Sequence, residues 1–157
     1  MARRFATATL LLGVLFIVTA VPASALAKPS AKEVASATAF MRKVVELKAE
    51  GRQGAAYDLV FPAQKSLVTK AAYVACQPTG GVTIEDFEFK RASTETAQIP
   101  GTDAKAKTLF LTVEITASKD GLEETSMATF HAIKTKRGWA WAMPQSDLDR
   151  CSAPSSS

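Results

Sequence analysis

The chain has 157 residues, 19 Lys and Arg against 15 Asp and Glu, a single His and two Cys. That length suits one domain rather than several. One imidazole and two thiols give no zinc-type ligand set, and so modest a positive charge gives no nucleic-acid footprint.

The N-terminus reads as an export leader. A charged tip, Arg3 and Arg4, precedes an apolar run from about Leu10 to Val21. The exit "VPASALAKPS" places small residues at Ala25 and Ala27, the A-x-A pattern of a cleavage site before Lys28. The run is shorter than the roughly 20 apolar residues of a membrane span, so no integral span is expected after cleavage. With residues 1–27 removed, 17 basic residues face 15 acidic ones. The near-balance argues against nucleic acid as a partner.

From Lys28 a helix is expected. Ser30 and Glu33 have capping-box spacing. Val34, Ala37, Phe40, Met41, Val44 and Leu47 recur at helical period, and Gly51 supplies the stop. Two shorter helices should follow. The first carries Tyr57, Val60 and Phe61 on its apolar face and meets Pro62. The second restarts near Thr69 and ends near Cys76.

After Pro78, Gly80 and Gly81 the period changes to two. Val82 and Ile84 share one parity while Phe87 and Phe89 share the other, which predicts a bulge near Glu85 and Asp86. "STETAQIPGTDAKAK" reads as a loop or ragged edge. "TLFLTVEITA" alternates cleanly, and Asp120-Gly121 is a hairpin turn. "SMATFHAIK" and "WAWAM" are the last two strands, and the Ser-rich residues 152–157 form a frayed tail. The fold class is therefore α+β: N-terminal helices packed on a curved, four-stranded antiparallel meander spanning residues 28–151, a single cone-shaped domain.

The two cysteines, Cys76 and Cys151, are the only ones. In an exported chain an even count suggests a disulfide, and only one intramolecular pairing exists; free thiols or a bridge between chains are the alternatives.

The element order resembles the nuclear-transport-factor-two-like superfamily, which includes ketosteroid isomerase, polyketide cyclases and scytalone dehydratase. The long first helix, "GRQGAAYDLV" and "FHAIKTKRGWAWAM" carry the likeness. "FPAQK", "YVAC", "IPGT" and the last Cys are similar to elements of exported actinobacterial proteins. The resemblance implies a pocket in the mouth between the first helix and the concave sheet. Phe40, Met41, Tyr57, Phe61, Trp139 and Trp141 are its candidate lining residues, and core packing is the competing role for each.

Catalytic signatures are missing. His131 could serve as a general base, yet a mid-strand histidine without a GxSxG element or positioned partners reads more simply as structural. Asp58, Tyr57 and Tyr73 offer the residue types of an isomerase site. The family tyrosine, however, belongs on the first helix, where this chain has Phe40 and Met41. "KTKRGWAW" mixes cations and rings but is one short hairpin turn. Trp139 and Trp141 share a strand face. The expectation is core for Trp139, costing about 3–5 kcal/mol on truncation to Ala, and pocket wall for Trp141.

The functional expectation is an exported non-catalytic module without a cofactor. Its partner would be a small apolar ligand or an envelope protein. A small isomerase, cyclase or dehydratase and a structural domain forming a homodimer through its outer sheet face are the alternatives.

Overall fold

The computed structural model describes residues 28–152. The leader with its cleavage site, and residues 153–157 of the expected tail, lie outside the described residues.

Helix α1 spans Ala31–Ala49. The Glu33 amide donates to Ser30 Oγ at 3.2 Å and the Ser30 amide donates to Glu33 Oε2 at 3.3 Å, so the capping box closes as the spacing requires. At the other end Gly51 adopts φ +76°, the left-handed stop a side chain would strain. One stripe of α1, Ala37, Met41, Val44 and Leu47, is buried. Two short helices follow, α2 (Gln53–Asp58) and α3 (Lys70–Cys76), with a 3-10 turn over Pro62–Ser66 between them. Thr69 caps α3 by accepting from the Ala72 amide at 3.2 Å.

Four strands form one open antiparallel sheet in chain order: β1 (Thr83–Gln98), β2 (Lys105–Lys119), β3 (Leu122–Thr135) and β4 (Gly138–Trp141). The α+β class and the meander are as read from the sequence. The first three strands are longer than expected: β1 takes in the start of the supposed loop, residues 93–98, β2 takes in its end from Lys105, and β3 begins directly after the hairpin. Asp120 and Gly121 both have positive φ and Lys119 pairs with Leu122, a two-residue turn that matches strand twist. The expected bulge lies between Ile84 and Asp86, and a second register shift lies between Phe89 and Arg91. Shifts of this kind bend a strand and increase its twist.

The core fills the space between α1 and the concave sheet face. Leu109, Leu111 and Val113 of β2, Phe87 of β1 and Ala132 of β3 meet Met41 and Val44. Each fully buried large aliphatic side chain contributes about 1.5–3 kcal/mol. A smaller cluster, Ile99, Ile133 and Ala142, is backed by Phe61.

An unexpected element closes the chain. Helix α4 spans Gln145–Ser152, so Ser152 is helical and the last cysteine sits on a helix rather than on a loose tail. Only Leu148 and Cys151 give it an apolar face, too little periodicity to read in sequence. Cys76 and Cys151 are joined, with 5.1 Å between their Cα atoms, and tie α3 to α4 across a separation of 75 residues.

Candidate functional site

The space between helices and sheet has a closed end and an open end, and the tryptophans sit one at each. Trp141 is at the closed end. Its amide donates to Leu59 O at 3.1 Å, and its carbonyl accepts from the Phe61 amide at 2.8 Å. The turn after α2 thus continues the sheet beyond β4. The Trp141 indole is 3% exposed, donates to Ala56 O at 3.0 Å and meets Tyr73 edge-on at 6.4 Å. Trp139 lies two residues nearer the open end, partly exposed, with its indole donating to Ser36 Oγ of α1 at 2.9 Å. The roles expected of the two rings are therefore exchanged: Trp141 is core and Trp139 is wall. Parity alone could not reveal this, because both rings do share one face.

The other candidate lining residues do not converge. Met41 is fully buried; with Trp141 it borders a small cavity of about 140 Å³. Tyr57 is a core residue whose hydroxyl donates to Val68 O at 2.7 Å and whose ring lies 5.5 Å from that of Tyr73. Burial, then the Asp58 charge, raises its pKa. Phe40 packs partly buried against the core, and Phe61 backs the second cluster.

Of the isomerase-type residues, Tyr57 and Tyr73 pack together in the core and Asp58 stays outside it. Asp58 is exposed and salt-bridged to Lys70 at 2.7 Å. Tyr73 is fully buried, and its hydroxyl has no hydrogen-bond partner among the described residues. Burial chiefly, and the Asp147 charge next, push its pKa far up. His131 lies tilted against Phe110, ring centres 4.4 Å apart. Burial lowers its pKa, opposed by the charge of Glu95. Among the described residues no cluster of three His, Cys, Asp or Glu side chains could hold a metal.

Two cavities open at the other end, sharing Pro29. One, of about 330 Å³, lies under Trp139 between Glu33, Thr94 and Leu109. Glu33 in its wall caps α1 through Ser30, which lowers its pKa, and Lys134 approaches Glu33 at 3.8 Å. The second is a groove of about 930 Å³ between α1 and β1. Its helix wall is a second stripe of α1, Val34, Ala35, Thr38 and Ala39, beside the buried one; its sheet wall is Phe89 and Ala92. Small side chains on the helix and a bulged edge strand leave a gap that larger residues would have filled. Phe89 remains 38% exposed there.

Thr38 Oγ1 is covered in this wall and has no hydrogen-bond partner among the described residues. Three cations, Lys28, Arg42 and Arg91, border the groove, and among the described residues no carboxylate lines it. Arg42 is held by donating to Phe87 O at 2.7 Å, with its guanidinium 5.3 Å from the centre of the Phe87 ring. Arg91 Nε donates to Thr112 Oγ1 at 3.2 Å. The resemblance implies a pocket between the first helix and the sheet, but none of the six candidate lining residues borders this groove. The signals available were the i, i+4 recurrence of alanine in the first turns of α1 and the parity switch in β1.

No protein-family model, curated protein or solved structure matches the chain. Among the described residues no helix is long and apolar enough to cross a membrane.

Proposed function

We propose that this chain is an exported, non-catalytic binding module that takes an apolar ligand in the groove between α1 and β1. The observation that carries the reading is the groove itself: about 930 Å³, walled by apolar side chains, with a partly exposed Phe89. That volume is within the range of small-molecule sites. Exposed apolar surface of this kind carries a cost that a ligand removes.

Export is supported by the leader pattern and by the bridge between Cys76 and Cys151, which suits an oxidising compartment. The element order supports kinship with the nuclear-transport-factor-two-like superfamily. The scattered positions of Asp58, Tyr73 and His131 favour binding over catalysis. The outer sheet face favours the groove over a sheet-mediated dimer. It bears threonine pairs, Thr112 with Thr129 and Thr116 with Thr125, and a Lys90 bridge to Glu88 and Glu114.

The test is titration with a neutral naphthylamine dye that brightens in apolar sites. Saturable binding is expected, and Ala35→Trp, which fills the groove from its exposed helix wall, should abolish it. Dye binding that Ala35→Trp leaves unchanged would place the apolar site elsewhere.

A further inference from the structure

Resting on that groove reading, we infer that its ligand is a monomeric single-chain amphiphile with an anionic head. The groove is apolar along its walls and cationic at its border. Lys28, Arg42 and Arg91 stand there, and none of the three forms a salt bridge among the described residues.

Arg91 is turned toward the outer sheet face, where its Nε donates to Thr112 Oγ1; Arg42 stays beside the groove and spends one donor on Phe87 O. That contact steadies the side chain and leaves terminal N–H groups for a second acceptor. A guanidinium already held in place binds a carboxylate or phosphate with less entropy lost than a free one. Removal of the leader before Lys28 would add an α-ammonium at the same border.

The dimensions favour a chain rather than a compact ring system. The helix wall from Ala31 to Arg42 is roughly 16 Å long at the helical rise. It is lined by small residues throughout, with no bulky side chain to divide it. A neutral apolar ligand would satisfy the walls and leave the cations unused. A cationic amphiphile would be repelled by all three.

The anionic head could also belong to a lipid in a membrane surface. A groove recessed between a helix and an edge strand suits a single extracted chain better than a flat bilayer face, so the monomer is the assignment.

Dye displacement by dodecanoate, dodecan-1-ol and dodecylammonium, each below its micelle concentration, tests this. Dodecanoate should bind about tenfold tighter than the alcohol at low salt and dodecylammonium weakest, with the preference shrinking as salt rises. Lys28→Gln/Arg42→Gln should reduce the preference to about threefold or less; a preference unchanged in that variant would overturn the role of the border cations. Equal affinity for the three probes would overturn the anionic head and leave the groove standing. Failure of all three would remove the groove reading itself. Sedimentation with phosphatidylglycerol vesicles, with no dodecanoate binding, would reassign the cations to a membrane surface and overturn the monomer.

Discussion

Truncating the two tryptophans separately should give unequal losses, with Trp141 the costlier. Trp141 is 3% exposed, so Trp141→Ala loses the transfer energy of the ring and leaves a cavity, about 3–5 kcal/mol. It also removes the indole donor to Ala56 O at 3.0 Å; Ala56 O keeps the Leu59 amide at 3.2 Å, so the loss is about 1 kcal/mol at most. The Lys48 ammonium 5.1 Å from the ring centre loses a contact worth about 0.5–1 kcal/mol. These contributions overlap, and a total near 5 kcal/mol is expected. Trp139 is partly exposed and bonds an accessible Ser36; Trp139→Ala should cost about 1.5 kcal/mol, since only part of its surface leaves water. Urea unfolding of both variants beside the wild type measures the difference. The Trp141 loss is large against the 5–15 kcal/mol typical of a domain, so Trp141→Phe, expected near 2 kcal/mol, keeps the comparison measurable. Equal midpoint shifts for Trp139→Ala and Trp141→Ala, or a larger one for Trp139, would refute the assignment of closed and open ends.

Tyr73→Phe should leave stability unchanged or raise it by about 1 kcal/mol, because the hydroxyl it removes is buried without a partner; a clear loss in urea would mean that the oxygen is satisfied after all. Cys76→Ser/Cys151→Ser should cost about 4 kcal/mol by loop-closure entropy, read as a lower thermal midpoint; an unchanged midpoint would show that α4 needs no staple. His131 is lowered in pKa by burial, so the unfolded chain takes up its proton first. Its stability contribution is full above about pH 6.5 and falls as the pH drops toward the lowered folded value. The urea midpoint of wild type minus that of His131→Gln should therefore decline between about pH 7.5 and about pH 5; a flat difference would contradict the burial. Gln64→Met keeps most of the volume but removes three hydrogen bonds. The Gln64 amide donates to Pro100 O at 3.1 Å and to Met143 O at 3.0 Å, and its oxygen accepts from the Met143 amide at 2.8 Å. A loss of about 3 kcal/mol is expected, and a midpoint within error of wild type would show that these groups find water.

Local rules carried the reading of the fold a long way. The capping box at Ser30, the stop at Gly51, the bulge before Asp86 and the hairpin at Asp120-Gly121 depend on neighbouring residues, and all four stand where the sequence places them. The errors have a different origin. Lys105 and Glu95 look like loop residues, yet they lie in strands because each backbone finds a partner across β1 and β2; pairing across the sheet overrides local propensity. Helix α4 depends on contacts far away in sequence, the bond to Cys76 and the Lys48–Asp147 bridge at 3.1 Å. Gln64, in "FPAQK", carries no local sign of burial yet is fully buried, because the backbone it bonds comes from two distant turns. The groove was least legible. A gap is the absence of contact, and a stripe of alanines looks the same whether something packs on it or nothing does.

The two ends of the fold divide the chemistry in a way that bears on binding. The closed end concentrates the devices that cross the chain: the bridge of Cys76 and Cys151, the buried Gln64, and Asp147 accepting from Lys48 and from Arg150. Buried polar groups stabilise only when fully partnered, and here they join elements that are remote in sequence. The open end is tethered more lightly. There α1 is held by the Ser30 cap, by the bond from Trp139 to Ser36, by the exposed contact of Lys134 with Glu33 and by Arg42 on Phe87 O. A helix anchored firmly at its last turns and lightly at its first can lie over a groove without being pulled down to close it. The small side chains of Ala35 and Ala39 then form a wall instead of a packing defect. On this argument the stapled end fixes the position of α1, so that its first half can stand away from Phe89 and Ala92, where the cations gather.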